Sequence, residues 1–491
     1  MKKYDLYING DWIESTAGEK FETKNPATGE TLATFPKGTK KDVVKAIDAA
    51  ERAFPQWKKY PAPKRGDILL KAASIARKKK EEFGEIVTKE MGKILAEGRG
   101  DVQEAIDFLE YISGEGRRLF GETTPSELSN KFCMTIRQPI GVVGCITPWN
   151  FPAAIPCWKL GAALISGNSV VFKPATLTPL CAAKLVEIFE EAGLPPGVLN
   201  FITGSGSVVG REIVENHRVK AVSFTGGVPT GVDIYGKASK SLKPVHLELG
   251  GKNPQIIMDD ANIDLAIEGV LFGAFGSAGQ RCTATSRLVV HKDVYDKATK
   301  KLLERTKALR IGDPLDPEVD MGPVASVDQE KKILEYIEIG KKEGAKLLCG
   351  GKKLNGKRYD KGFFIEPTIF EAEHGMRITK EEIFGPVLAV IKTSGYADSV
   401  RIANDVEYGL SSSIYTKDVS TAFRAIQDLE VGITYVNAPT IGAEVHLPFG
   451  GIKNTGNGGR EAGTTAIDEF TEMKTVFIDY SGRLQKVQIE K

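Results

Sequence analysis

The chain of 491 residues is too long for one ordinary core, and two or three domains are expected. Its hydrophobic content of 41% and charged content of 26% are those of a water-soluble globular protein. A formal net charge of +2, with no long single-sign block, argues against a general nucleic-acid or membrane-surface binder.

The opening "MKKYDLYINGDW" carries no long apolar region and no small-residue cleavage site, so no signal peptide is expected. No apolar run approaches the length of a membrane span. Short strands and turns are expected to about residue 40, with "NPATGE" as a turn signal. Residues 41–59 read as a helix, because Val43, Ile47, Ala50 and Phe54 fall on one face. More helix, with breaks, is expected to about residue 118. The triplet Lys78, Lys79 and Lys80 reads as a solvated helix face rather than a phosphate site. "KFCMTIRQ", 131–138, alternates like a strand.

From 140 to 259 the pattern changes to short β-rich runs, among them "GVVGCITP", "SVVFKP", "VLNFITG", "AVSFTG" and "PVHLELGG". Helix-like stretches such as "TPLCAAKLVEIFEEAG" separate most of them. Strands alternating with helices imply a parallel sheet with crossover helices, whose ligands bind beyond the carboxyl ends of the strands. A second α/β unit spans roughly 252–455, with "SRLVVH", "GAKLLCGG", "PVLAVI" and "GITYVN" as strands. Beyond about 470, "EMKTVFIDY" is strand-like again. It and "KFCMTIRQ" have no evident partner in either sheet. They read either as an arm that pairs with another subunit or as an ordinary surface hairpin.

The six cysteines, Cys133, Cys145, Cys157, Cys181, Cys282 and Cys349, show no C-x-x-C pair, no disulfide framework and no zinc spacing. A reducing, cytoplasmic compartment and no metal are expected. All but Cys282 lie in or beside apolar runs and read as small buried hydrophobes. Cys282 sits in "FGSAGQRCTAT", 275–285, without apolar neighbours along the chain.

"GSGSVVG", with Gly204, Gly206 and Gly210, follows a strand but misses the dinucleotide fingerprint G-x-G-x-x-G by one residue; a plain glycine turn explains it as well. "GGVPTG" starts like a phosphate loop, yet Val232 stands where such a loop needs lysine, so NTP hydrolysis is not expected. Lys173 ends the apolar strand "VVFKP"; it is either solvated or a holder of ribose hydroxyls or phosphate. Glu248 lies between two leucines in "HLELGGK". If buried there its pKa rises and it suits a general base; the alternative is the exposed face of an alternating strand.

Cys282 links these features. A thiolate adds to an aldehyde carbonyl carbon, and the thiohemiacetal so formed needs a hydride acceptor, which a nicotinamide can be. The resulting thioester needs an activated water to leave as acid. A cysteine hydrolase would want a histidine base, and the five histidines (His217, His246, His291, His374, His446) form no recognisable cysteine–histidine motif.

Taken together, "PWNFP" (148–152), "FKPA" (172–175), "ELGGK" (248–252), "GQRC" (279–282), "EEIFGP" (381–386) and "PFGG" (448–451) resemble the NAD(P)-dependent aldehyde dehydrogenase superfamily, in its order and spacing and over nearly the whole chain. The resemblance implies an α/β fold: a Rossmann-like cofactor domain (1–121 and 140–250), a second α/β catalytic domain (251–455), and a small β oligomerisation arm and tail (122–139 and 456–491). It implies Cys282 as nucleophile, Glu248 as the base for the deacylating water, and the Asn150 amide with the Cys282 backbone N–H as oxyanion donors. It implies NAD or NADP as cofactor, with Lys173 on the adenosine ribose, Glu382 on the nicotinamide ribose, and Trp149 and Phe384 as walls. Ile146, Thr147, Pro148, Ala175, Thr176, Gly206, Ser207, Gly210, Phe224, Thr225, Gly226, Gly227, Leu249 and Gly250 are the further cofactor contacts expected. For a small aldehyde substrate it implies Phe151, Ile155, Trp158, Arg281, Thr283 and Phe449. A homodimer or homotetramer follows from the same resemblance, with no nucleic-acid or membrane partner.

Two departures bear on the cofactor. The family often has "FTGS", where this chain has Gly227 and so lacks a hydroxyl facing the pyrophosphate. NAD-preferring relatives often carry glutamate at Thr176; threonine does not repel a 2′-phosphate, so NADP is expected to be tolerated or preferred. "WNFPAAIPCWK", "RCTATSR" and "GAEVHLPFGG" look most like the branch oxidising α-ketoglutaric semialdehyde (2,5-dioxopentanoate). Glyceraldehyde, succinic semialdehyde and simple aliphatic aldehydes stay open. So do a CoA-acylating relative and a catalytically inactive structural one.

Overall fold

The structure, a computed structural model, describes residues 2–489. Residue 1 of the expected cofactor domain and residues 490 and 491 of the expected tail lie outside the described residues.

The first long helix, Lys40–Lys59, opens on a capping box: the Thr39 hydroxyl accepts from the Asp42 N–H, and the Asp42 carboxylate accepts from the Thr39 N–H at 2.9 Å. Val43, Ile47 and Ala50 are buried, and Phe54 is half-buried. Helices Ala62–Lys78, Lys80–Met91 and Leu95–Ser113 follow. Of the lysine triplet, Lys78 is exposed, while Lys80 bonds Gln103 at 2.7 Å.

A seven-stranded sheet runs in the order Val245–Glu248, Val219–Thr225, Val142–Ile146, Ser169–Lys173, Leu199–Phe201, Leu6–Ile8, Asp11–Ile13. The first five are parallel and the last two antiparallel. Helices Ala154–Ser166, Pro179–Ala192 and Val228–Ala238 occupy the crossovers. Strand order reverses between Val142–Ile146 and Val219–Thr225, so the connections after these strands diverge to opposite faces and leave a crevice at their carboxyl ends. VVGCI and SVVFK are buried at every position, as strands covered on both faces must be.

The second seven-stranded sheet has the order Lys346–Cys349, Thr368–Glu371, Val387–Thr393, Thr285–His291, Asn253–Ile257, Ser411–Tyr415, Ile433–Val436, and only its first pair is antiparallel. Each sheet is thus a separate α/β layer with its own apolar clusters.

The two strands left without partners by the sequence pair with each other. Lys131–Pro139 lies antiparallel to Thr471–Asp479, in register from Thr471 opposite Pro139 to Asp479 opposite Lys131, with Thr123–Pro125 on the other side. They are not a hairpin, because the pairing joins distant parts of the chain; sequence periodicity reports a strand and not its partner. Thr471–Asp479 lies at the edge of this small sheet, with Met473, Phe477 and Ile478 exposed.

Cys133, Cys145, Cys157 and Cys181 are buried as expected, but Cys349 is only half-buried, its strand lying at the sheet edge. Cys282, flanked by polar residues in the chain, packs in space against the apolar cluster containing Trp158 and Phe449. Among the described residues no helix is long and apolar enough to cross a membrane.

Candidate active site

Glu248 is the last residue of its strand and is 4% exposed, which excludes the exposed-face alternative. The chain then turns through Gly250 and Gly251, and both glycines are required by close approach. A Cβ on Gly250 would lie 2.5 Å from Glu382 Oε2, and one on Gly251 would collide with the Cys282 carbonyl. Gly251 N–H donates to Glu382 Oε1 at 3.0 Å. The "ELGGK" turn therefore brings Glu382 and the cysteine loop together. The second glycine pair works alike: a Cβ on Gly450 of "PFGG" would lie 2.5 Å from Glu248 Oε1.

The cysteine loop follows helix Ile263–Phe275 and passes through three successive residues at positive φ, Ser277 (50°), Ala278 (53°) and Gly279 (68°). Such left-handed backbone is tolerated where the surroundings over-determine it. Here Gln280 is the anchor, donating to the Ser277 carbonyl at 3.1 Å and accepting from the Ala325 N–H at 2.9 Å. Asn253, which sequence reading did not single out, donates from Nδ2 to the carbonyls of Cys282 at 2.7 Å and Ala284 at 2.9 Å. Its role was invisible because it rests on contacts across the turn.

Three cavities meet along one groove. The outermost lies at the switch point of the first sheet and is lined by Ile146, Thr147, Pro148, Trp149, Lys173, Ala175, Thr176, Gly206, Ser207, Gly210, Phe224, Thr225 and Gly226. All of these are expected cofactor residues. Arg211 and Lys237 line it too and were missed, because an arginine after a glycine turn carries no signal of its own. "GSGSVVG" forms a wide π-type turn capped by Ser205, whose hydroxyl accepts from the Val208 N–H at 3.2 Å. The extra residue of that turn accounts for the mismatch with the dinucleotide fingerprint. The central crevice shares Pro148, Trp149, Thr225 and Gly226 with the first cavity and adds Asn150, Gly227, Leu249, Gly250, Cys282, Glu382 and Phe384. Trp149 and Phe384 meet edge to face at 5.4 Å between ring centres, and Phe384 is held at φ 61° while Gln329 donates to its carbonyl at 2.6 Å. The inner chamber is lined by Phe151, Ile155, Trp158, Arg281, Thr283 and Phe449, together with Cys282 and Glu248. Trp158 and Phe449 contact edge to face at 5.0 Å. Glu104, Ile441 and Glu461 also line it and were missed.

Cys282 thus lies where central crevice and inner chamber meet. Burial, then the charges of Glu382 and Glu248, push its thiol well above the usual range, opposed by the Thr283 N–H. Burial also holds Glu248 well above the usual carboxylate range, reinforced by Glu461 and Glu469 and opposed by Lys159 and Arg460. Glu248 Oε2 is buried without a hydrogen-bond partner among the described residues. Lys159 is buried, paired with Glu461 and donating to Ser223 Oγ at 2.8 Å. Lys173 is pushed down to about 8 by burial, and its Nζ donates to the Pro174 carbonyl at 2.8 Å. Arg281 reaches the chamber wall, but its guanidinium already pairs with Glu97 at 2.8 Å.

The sequence profile of the "Aldehyde dehydrogenase family" matches residues 12–476. This chain belongs to the aldehyde dehydrogenase family. As a member it oxidises aldehydes with NAD(P)+. It is 45% identical over 477 residues to the "Alpha-ketoglutaric semialdehyde dehydrogenase" of Bacillus subtilis, covering 97% of this chain and 98% of that one. It is 44% identical over 483 residues to the "2,5-dioxopentanoate dehydrogenase" of Saccharolobus solfataricus, covering 97% and 99%. The crystal structure of betaine aldehyde dehydrogenase from Staphylococcus aureus in complex with NAD+ superposes with a TM-score of 0.96 at 35% identity, covering 98% of this chain and 96% of that one.

Proposed function

We propose that this aldehyde dehydrogenase oxidises α-ketoglutaric semialdehyde (2,5-dioxopentanoate) to the dicarboxylic acid. The observation that carries the reading is that Cys282 and Glu248 line one chamber, walled by Trp158 and Phe449, with the cationic Arg281 on its wall. The relatives at 44–45% identity support the choice of substrate within the class.

The groove fits a dinucleotide: it opens at the switch point, Gly206, Gly210 and Gly226 are among its lining, and the buried Lys173 amine donates only to the Pro174 carbonyl among the described residues. When bound, the nicotinamide supplies the hydride acceptor. Lys173 and Thr176 hold the adenosine ribose, and Glu382, fixed by the Gly251 N–H, holds the other ribose. The Cys282 sulfur adds to the carbonyl carbon, its proton passing to Glu248. Asn150 Nδ2 and the Cys282 N–H stabilise the oxygen as charge develops on it. Loss of hydride leaves a thioester. Glu248 releases the proton taken from the thiol to solvent, and its carboxylate then takes a proton from the water that displaces sulfur and returns it to the departing thiolate. The balance is aldehyde, water and NAD(P)+ giving acid, NAD(P)H and a proton.

Position 176 carries threonine rather than a glutamate that would oppose a 2′-phosphate, and Arg211, bonded to Glu215 at 2.9 Å, shares the cavity with Lys173 and with the Lys237–Asp233 pair; NADP is used at least as well as NAD. The division into a cofactor unit (1–121 and 140–250), a catalytic unit (251–455) and an arm with tail (122–139 and 456–491) is supported by the separation of the two seven-stranded sheets from each other and from the small sheet of Lys131–Pro139 and Thr471–Asp479. The exposed edge strand Thr471–Asp479 supports a homodimer or homotetramer, and the free cysteines support the cytoplasm.

The test is a kcat/KM panel of 2,5-dioxopentanoate, succinic semialdehyde, glyceraldehyde and pentanal against both cofactors, with and without CoA. A clear preference for 2,5-dioxopentanoate, indifferent to CoA, is expected. A tenfold preference for pentanal removes the substrate reading, and dependence on CoA removes the hydrolytic one.

A further inference from the structure

Residues 174–178 join strand Ser169–Lys173 to helix Pro179–Ala192, and Ala175, Thr176 and Leu177 of this loop line the outermost cavity. The loop makes few bonds of its own. Lys173 Nζ donates to the Pro174 carbonyl at 2.8 Å, and the Thr178 N–H donates to the Ala175 carbonyl at 3.3 Å. Its far end is fixed by the start of the helix. Thr178 is the N-cap residue there, yet its hydroxyl makes no capping bond and is buried without a partner among the described residues. Pro179 has no N–H, so the first donors left open are those of Leu180 and Cys181.

Glu90 closes both. It stands in the last turn of helix Lys80–Met91 and is 2% exposed. Its Oε1 accepts from the Leu180 N–H at 2.8 Å, and its Oε2 accepts from the Cys181 N–H at 2.8 Å. The Thr23 hydroxyl, on strand Lys20–Lys24, lies 2.8 Å from the same Oε1 and 3.2 Å from the Leu177 carbonyl, and shares its proton between them. A carboxylate in the last turn opposes the dipole of its own helix, whereas the same charge at the first turn of another helix is favourable. Burial pushes the Glu90 carboxyl up to about 7 while these bonds pull it down, and above that value it is ionised.

We infer that Glu90 is a positioning residue for the adenosine end of the cofactor: by capping helix Pro179–Ala192, with Thr23 on the Leu177 carbonyl, it fixes where Ala175 and Thr176 stand in the cavity wall. Glu90 itself does not line that cavity. The inference rests on the reading above that Lys173 and Thr176 hold the adenosine ribose. Cys282, Asn150 and Glu248 are carried by other segments, so a shift of this loop alters cofactor binding and leaves the chemistry alone.

The experiment is steady-state kinetics of the full-length enzyme at pH 8, which separates KM for NAD(P) from kcat and from KM for aldehyde. Glu90→Gln keeps the shape but sets an NH2 group against one of the two N–H donors. KM for NAD(P) is expected to rise about tenfold, while kcat at saturating cofactor and KM for aldehyde stay within about twofold. The inhibition constant of ADP, which carries adenosine and diphosphate but no nicotinamide ribose, rises by the same factor. Thr23→Val removes both bonds of the hydroxyl and is expected to raise KM for NAD(P) about threefold, and Thr23→Ser is expected to restore it. A merely structural loss reduces the amount of active enzyme, and so kcat, without moving KM. Glu90→Gln with a lower kcat and an unchanged KM for NAD(P) therefore overturns the inference, as does a raised KM for NAD(P) with unchanged inhibition by ADP. Should Glu90→Gln fail to fold, equal KM for NAD(P) in Thr23→Val, Thr23→Ser and the wild type overturns it. Lys173→Ala separates the two readings. An unchanged KM for NAD(P) in that variant takes down the cofactor placement and the inference with it. A raised one, beside an unchanged KM in Glu90→Gln, overturns the inference alone.

Discussion

The N–H of Gly251 donates to Glu382 Oε1 at 3.0 Å, and the neighbouring Gly250 leaves room for the other carboxylate oxygen. This contact sets a residue far along the chain at a fixed height over the crevice that holds Cys282. Gly250→Ala would put a methyl group 2.5 Å from Glu382 Oε2. The Glu382 side chain must then move, and KM for NAD(P) is expected to rise about tenfold or more, with a smaller change in KM for aldehyde. Equal changes in both constants would show that Glu382 does not act on the cofactor.

Cys282→Ala is expected to lower NAD(P)H formation by roughly three or more orders of magnitude, because the nucleophile is gone. Cofactor affinity, measured by fluorescence titration, stays within about threefold, since a thiol in the inner chamber contributes little to holding a dinucleotide. Substantial residual turnover would remove Cys282 from its role.

Glu248→Gln removes the acceptor for the water's proton. Thioester should accumulate, and rapid mixing should give a burst of NAD(P)H of about one per active site followed by steady turnover slowed roughly 10²–10⁴-fold. Steady turnover at the wild-type rate would exclude Glu248 as the base.

Cofactor choice is expected to follow Thr176 and Arg211, which share one cavity with Lys173. Thr176→Glu should shift the kcat/KM ratio towards NAD by about tenfold, and Arg211→Ala should raise KM for NADP more than KM for NAD. If neither variant moves the ratio, the choice is made elsewhere in the cavity.

Stability should depend on pH through Glu469. Burial and the charge of Glu461 raise its folded-state carboxyl from 4.5 to about 8. Between these values the folded chain holds a proton that the unfolded chain has released. The contribution is therefore complete below about 4.5 and is lost as pH rises through about 8. Glu469→Gln, which cannot ionise, is expected to show a smaller fall in Tm between pH 5 and pH 8.5 than the wild type. Identical falls would mean that Glu469 does not carry this dependence.

Much of the outline was legible in the sequence for physical reasons. Strands buried on both faces must be continuous apolar runs, so VVGCI and SVVFK declared themselves and their interleaved helices implied a parallel sheet. The glycine pairs of "ELGGK" and "PFGG" stood out because backbone that approaches Glu382, Cys282 and Glu248 this closely tolerates no Cβ. Only the tertiary structure could decide what depends on residues far apart in the chain. Lys131–Pro139 pairs with Thr471–Asp479, although nothing in either strand names its partner. The thiol of Cys282 is raised because the fold surrounds it with apolar side chains and two glutamates, while its chain neighbours are polar. Glu104 and Arg211 carry no signal of their own in the chain, and only the tertiary structure sets them along the groove, Arg211 on its exposed side. Local sequence determines which element forms and where backbone must be bare; burial and charge environment are properties of the assembled neighbourhood, which local sequence does not contain.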